Sequence, residues 1–138
     1  MSPSQRPPEF FIDRSLGRHR VPEALRGAGW ALRTHHEVYG DRDERVADVE
    51  WLEFCGRLGL PVLSKDRRIR YRPAEIEAIR RFGVRAFVLT SGGLRADEQA
   101  ERLERNRLRI EEACVAPGAA LFAVQATRIV KVFPSADA

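Results

Sequence analysis

Short apolar runs alternate with amphipathic helical stretches along the chain, and this alternation constrains the fold more than any other feature of the sequence. Phe10-Phe11-Ile12-Asp13 reads as a first strand. Residues 30–36 read as a second, Leu60-Pro61-Val62-Leu63-Ser64 leads into a third, and residues 86–90 form an almost wholly apolar fourth. Residues 121–125 and 129–133 read as a closing pair. Between them, Val21, Leu25 and Ala28 recur at helical spacing, with Pro22 tolerated in the first turn and Gly27 and Gly29 ending the element. Ala47, Trp51, Phe54, Cys55 and Leu58 make one apolar stripe that Gly59 stops. Pro73 opens a helix carrying Ile76, Ile79 and Phe82, and Gly83 closes it. Residues 95–115 read as one long charged helix with a stripe of Ala96, Ala100, Leu103, Ile110 and Cys114. Continuously apolar strands separated by helices belong to a parallel sheet covered on both faces. The expected fold is α/β: a three-layer α/β/α sandwich with a mainly parallel central sheet. One domain is expected over residues 10–134, with tails at 1–9 and 135–138.

Composition narrows the class. The chain has 138 residues, 43% hydrophobic and 32% charged, which suits one globular core. No apolar run reaches the roughly 18–20 residues a bilayer requires, and MSPSQRPPEF has no apolar signal region, so a soluble cytoplasmic protein is expected. Cys55 and Cys114 match no metal-ligand spacing and lie on apolar stripes, which predicts core filling. A zinc ribbon and a disulfide-stapled miniprotein are excluded. The net charge of +4 is compatible with a polyanionic partner. Of 24 basic residues 22 are Arg, as a GC-rich genome alone would produce, so position matters more than number. Lys65-Asp66-Arg67-Arg68-Ile69-Arg70-Tyr71-Arg72 packs five cations and one acid into eight residues.

Ligands of open α/β sheets bind outside the carboxyl ends of the strands. Asp13 ends the first strand, and Asp66 follows Val62-Leu63-Ser64-Lys65. Asp48 lies at the start of the clearest helix. Glu50 competes with it, for at ~100° per residue the two point roughly 200° apart and cannot share a site. Periodicity alone leaves open which faces it. Asp41 and Asp43 read as solvated loop acids, and His35 and His36 as strand-end residues with surface or packing roles.

Phe11-Ile12-Asp13-Arg14-Ser15-Leu16-Gly17, then Asp48-Val49-Glu50-Trp51-Leu52, then Val62-Leu63-Ser64-Lys65-Asp66-Arg67-Arg68-Ile69-Arg70 resemble the PIN-like nucleases, most closely the branch related to VapC-type ribonuclease toxins. The resemblance runs from about Phe10 to about Phe133. It implies a metal-dependent ribonuclease, the toxin of a toxin–antitoxin pair, with Asp13, Asp48 and Asp66 as catalytic, metal-binding acids. Asp48 is preferred to Glu50 because it holds the family's helix-acid position. Carboxylates suit Mg²⁺ or Mn²⁺, which favour oxygen ligands. An antitoxin partner is implied by the same likeness. Arg14, Lys65, Arg67, Arg68, Arg70 and Arg72 then become the expected RNA contacts, through phosphate, with Tyr71 as a stacking platform. Many PIN domains carry a fourth acid near the end of a later strand. Here Phe87-Val88-Leu89-Thr90 runs into Ser91-Gly92-Gly93, and Asp97 reads as a helix N-terminal residue.

Two other readings stay in view. A non-catalytic RNA- or protein-binding module on the same fold would keep nucleic-acid binding without its acids. A phosphoacceptor domain or a dehalogenase-like phosphatase would want further acids near Asp13, where Ile12, Arg14 and Ser15 stand instead. The charged helix of residues 95–115 reads as a solvated face stabilised by pairs such as Glu98–Arg102, and is also compatible with a homodimer or antitoxin contact.

Overall fold

The computed structural model describes residues 7–134, apart from the side chain of Arg70. The expected tails at 135–138 and over residues 1–6 lie outside the described residues, and Glu9 already belongs to the first strand. Six strands form one sheet: β1 (Glu9–Ile12), β2 (Ala31–Thr34), β3 (Val62–Ser64), β4 (Arg85–Leu89), β5 (Ala120–Val124) and β6 (Ile129–Phe133). Their order is β2-β1-β3-β4-β5-β6, with every pairing parallel except β5 with β6. Six helices connect or flank them: α1 (Arg20–Gly27), α2 (His35–Tyr39), α3 (Asp48–Leu58), α4 (Pro73–Phe82), α5 (Ala96–Arg105) and α6 (Arg107–Val115). The α/β/α sandwich with a mainly parallel sheet is therefore the observed fold.

The apolar runs divide residue by residue between the two faces, as a side-chain period of two requires. Phe10, Ile12, Phe87, Leu89, Phe122 and Val124 point into a core shared with Val21, Leu25, Leu103 and Ile110 of α1, α5 and α6. Phe11, Val62, Ala86, Val88 and Leu121 point the other way, against Trp51, Leu52, Cys55 and Ile79 of α3 and α4. Gly59 and Gly83 end α3 and α4 in the left-handed conformation, at φ 69° and 71°, where a side chain is strained.

The structure corrects four local expectations. The second strand stops at Thr34, whose hydroxyl accepts from Glu37 N while the Glu37 carboxylate accepts from Thr34 N, a capping box that opens α2 at His35. The long charged helix is two. Asn106 is fully buried at the break and donates through Nδ2 to the carbonyls of Arg102 (3.0 Å) and Gln125 (2.9 Å), tying the helix pair to the end of β5. In α3, Leu58 is half exposed and Leu52 takes its place in the core. Cys55 is buried as expected, whereas Cys114 is only partly so.

Candidate active site

The site is built where two neighbouring parallel strands end. Asp13 follows β1 directly and caps the 3-10 turn Arg14–Leu16, its Oδ1 accepting from Ser15 N at 2.8 Å and from the Ser15 hydroxyl. Asp66 lies two residues past β3 and caps the 3-10 turn Arg67–Tyr71, its Oδ1 accepting from Arg68 N at 3.1 Å. Short polar side chains take such capping positions readily because they supply the acceptor that the first turn lacks. The two ends are bolted together by hydroxyls. Ser15 Oγ lies 3.2 Å from Ser64 Oγ and accepts from Lys65 N at 2.9 Å, and Ser64 Oγ accepts from Asp66 N at 3.0 Å.

Asp48 begins α3, where the helix dipole favours a negative charge. Its Oδ1 accepts from Trp51 Nε1 at 2.9 Å, and its Oδ2 from Arg72 Nη1 at 3.3 Å. Trp51 itself stacks on Phe11 of β1, so the core fixes the direction of this acid. Glu50 turns outward to Arg42 at 3.3 Å, which settles the choice that helical periodicity left open.

Asp13, Asp48 and Asp66 all line one cavity of about 810 Å³. Asp13 is the deepest, and burial pushes its carboxyl up to about 6, against the lowering hydrogen bonds of the Ser15 and Ser64 hydroxyls; the charge of Asp66 adds to the rise. The expected basic contacts separate here. Arg14, Arg68 and Arg72 line the cavity. Arg72 turns inward, donating to Asp66 Oδ2 at 3.1 Å as well as to Asp48. Arg67 instead reaches the Thr90 carbonyl at 3.1 Å and lines a separate cavity of about 240 Å³ beside β4 and β5. Lys65 is exposed and takes part through its backbone N–H, while the Arg70 side chain lies outside the described residues.

Asp43 is the residue that the sequence reading missed. Expected as a solvated loop acid, it is largely buried, lines the same cavity, and is hydrogen-bonded through Oδ1 to His35 Nδ1. His36 approaches its other oxygen at 3.7 Å. His35 is 2% exposed, packed against Phe11 and Tyr39, and burial lowers its pKa despite Asp43. The Thr34-His35-His36-Glu37 spacing is that of a capping box and puts both histidines on a helix, but it does not say which loop they meet. After β4, Ser91-Gly92-Gly93 brings no acid to the cavity, and Asp97 sits in the first turn of α5 beside Arg95, as expected.

A divalent cation fits the chemistry of this donor set. The three acids offer only oxygen ligands, and the Arg72 guanidinium already places positive charge between two of them. Among the described residues, no three acidic, histidine or cysteine side chains are closed into a ready ligand cluster.

The PIN-like domain model matches residues 8–91, the stretch that holds all three acids and the basic run. The chain is also 32% identical over 124 residues to a Mycobacterium tuberculosis protein named "Putative ribonuclease VapC45", covering 89% of this chain and 90% of that one. No solved structure matches. With the strand-end acids, their order along the chain and the sheet that gathers them all in agreement, the protein belongs to the PIN-like domain family, in its VapC-type branch.

Proposed function

We propose that the protein is a divalent-metal-dependent ribonuclease and the toxin of a toxin–antitoxin pair. The observation that carries this reading is the convergence of Asp13, Asp48 and Asp66, from three separate elements, on one cavity walled by Arg14 and Arg68. The ribonuclease name of the mycobacterial relative supports it.

Asp13, Asp48 and Asp66 would hold Mg²⁺ or Mn²⁺. A cation so held supplies an oriented water and offsets charge on the scissile phosphate and the leaving oxygen. The protein's own part is binding and orientation. Arg14 and Arg68 present guanidinium donors to phosphate oxygens along the cavity wall, where a forked donor matches the phosphate geometry. Tyr71 is 69% exposed on the turn that carries Arg68. Asp13 is oriented by the Ser15 turn, whose backbone N–H and hydroxyl both bond its Oδ1. An antitoxin would inhibit by covering the same cavity. Among the described residues no helix is long and apolar enough to cross a membrane.

The test is cleavage of a mixed RNA pool by wild type, Asp13→Asn and Asp66→Asn across a Mg²⁺ and Mn²⁺ titration. Metal-dependent cutting that falls at least about a hundredfold in both variants is expected. RNA binding without cleavage at any metal concentration would replace this reading with that of a binding module.

A further inference from the structure

Arg72 stands at a position that the fold defines closely. It links the 3-10 turn Arg67–Tyr71 to α4, and Pro73 restricts it to extended backbone, observed at φ −99° and ψ 113°. From there Nη1 lies 3.1 Å from Asp66 Oδ2, 3.3 Å from Asp48 Oδ2 and 3.5 Å from Glu75 Oε1. Three carboxylates share one nitrogen, which carries only two hydrogens. Arg68 reaches the other oxygen of Asp66 at 3.5 Å, so among the described residues two cations are paired with these three acids. The one guanidinium nitrogen thus occupies an oxygen of Asp48 and an oxygen of Asp66 together.

We propose that Arg72 is a resident counter-ion of the acidic site, which a divalent cation must displace from Asp48 and Asp66 in order to bind. This rests on the metal-dependent reading above and adds to it a residue that sets the affinity of the cation. A monovalent guanidinium and a compact divalent ion cannot both sit on the same two Oδ2 atoms. Without the cation, Arg72 keeps Asp48 and Asp66 from repelling each other and so holds α3 and the turn after β3 in place. With the cation, that task passes to the metal, and the donors of Arg72 are released toward the cavity it already lines. Two partly exposed ion pairs released together correspond to about a tenfold change in an equilibrium constant.

Calorimetric titration of Mn²⁺ into the full-length protein tests this directly, with no RNA present. Arg72→Gln and Arg72→Met are expected to bind Mn²⁺ about tenfold more tightly than wild type, because the competitor is gone. Arg72→Lys, which keeps the charge, is expected to stay close to wild type. In metal-free buffer the Gln and Met variants are expected to melt below wild type, with the gap closing at saturating Mn²⁺. Equal or weaker Mn²⁺ binding by both neutral variants overturns the proposal while leaving the metal site standing, as does a melting gap that persists at saturation, which marks a merely structural arginine. Absence of Mn²⁺ binding in wild type and variants alike overturns the metal-dependent reading together with this one. Asp66→Asn, expected to lose Mn²⁺ binding, assigns the signal to this cavity.

Discussion

At the residue scale, Asp13 carries a cost that its position imposes. Its carboxyl ordinarily titrates at 3.8 and is pushed to about 6 by burial behind β1. Below the lower value both folded and unfolded chains hold the proton. Between the two the folded chain keeps it and the unfolded chain gives it up, so stability falls as the pH rises, and above about 6 the whole loss is in place. Its size is on the order of 3 kcal/mol, as an upper limit. Asparagine keeps an acceptor for Ser15 and does not titrate. In metal-free buffer Asp13→Asn is therefore expected to exceed wild type in stability by up to about 3 kcal/mol at pH 7.5, with the advantage gone below pH 4. Urea denaturation over a pH series measures this, and equal stability at pH 7.5 would sink it. An acid retained at a cost in stability is consistent with the cation site proposed above. The physical reason is that desolvation strengthens its attraction for the ion.

At the scale of elements, the pair α3 and α4 sets where Asp48 stands. Gly56 lets them meet: a Cβ there would lie 2.4 Å from the Phe82 carbonyl oxygen and 2.5 Å from Phe82 Cβ. Neither atom can swing away as a flexible side-chain tip could. Gly56→Ala is therefore expected to cost about 1–3 kcal/mol by forcing the helices apart, even though alanine is the better helix former. Thermal or denaturant unfolding checks the sign, and a neutral or stabilising alanine would show that the helices can part freely. The break at Asn106 has a similar origin. The buried Asn106 amide bonds the carbonyls of Arg102 in α5 and of Gln125 just past β5, and so pins the chain between the two helices to the sheet. Apolar periodicity could not reveal it, because the stripe of Ala96, Ala100, Leu103, Ile110 and Cys114 keeps its helical spacing straight across the break.

At the scale of the whole molecule, 24 cations against 20 acids give a modest excess, and its distribution decides its use. The sheet order places β1 beside β3, so the turns after both open into one cavity. The basic run that looks uniform in sequence is thereby split. Arg68 is 79% exposed at its side chain and lines the cavity, whereas Arg67 is turned to the loop after β4. RNA affinity, measured by fluorescence anisotropy across a salt series, is expected to fall for Arg68→Gln on all sequences alike, with the salt slope reduced by about one. Arg67→Gln is expected to leave that slope nearly unchanged. A larger slope change for Arg67 would mean that phosphate runs along the other side of the β3 end.

The layered fold is legible from the residues alone, because strands apolar throughout can be stable only with helices on both faces. The sequence also marked Asp13 and Asp66 as candidates by their strand ends and Asp48 by the family motif, and the three line one cavity. Contacts between segments distant in the chain emerge only when the elements pack. Asp43 enters the cavity because α2 turns the loop inward onto His35, and no local pattern encodes that approach. Arg72 turns inward to meet not only Asp66, which caps its own turn, but also Asp48 of α3, 24 residues earlier in the chain. Period and spacing describe one element at a time, whereas charge pairing across a cavity depends on where several elements end together.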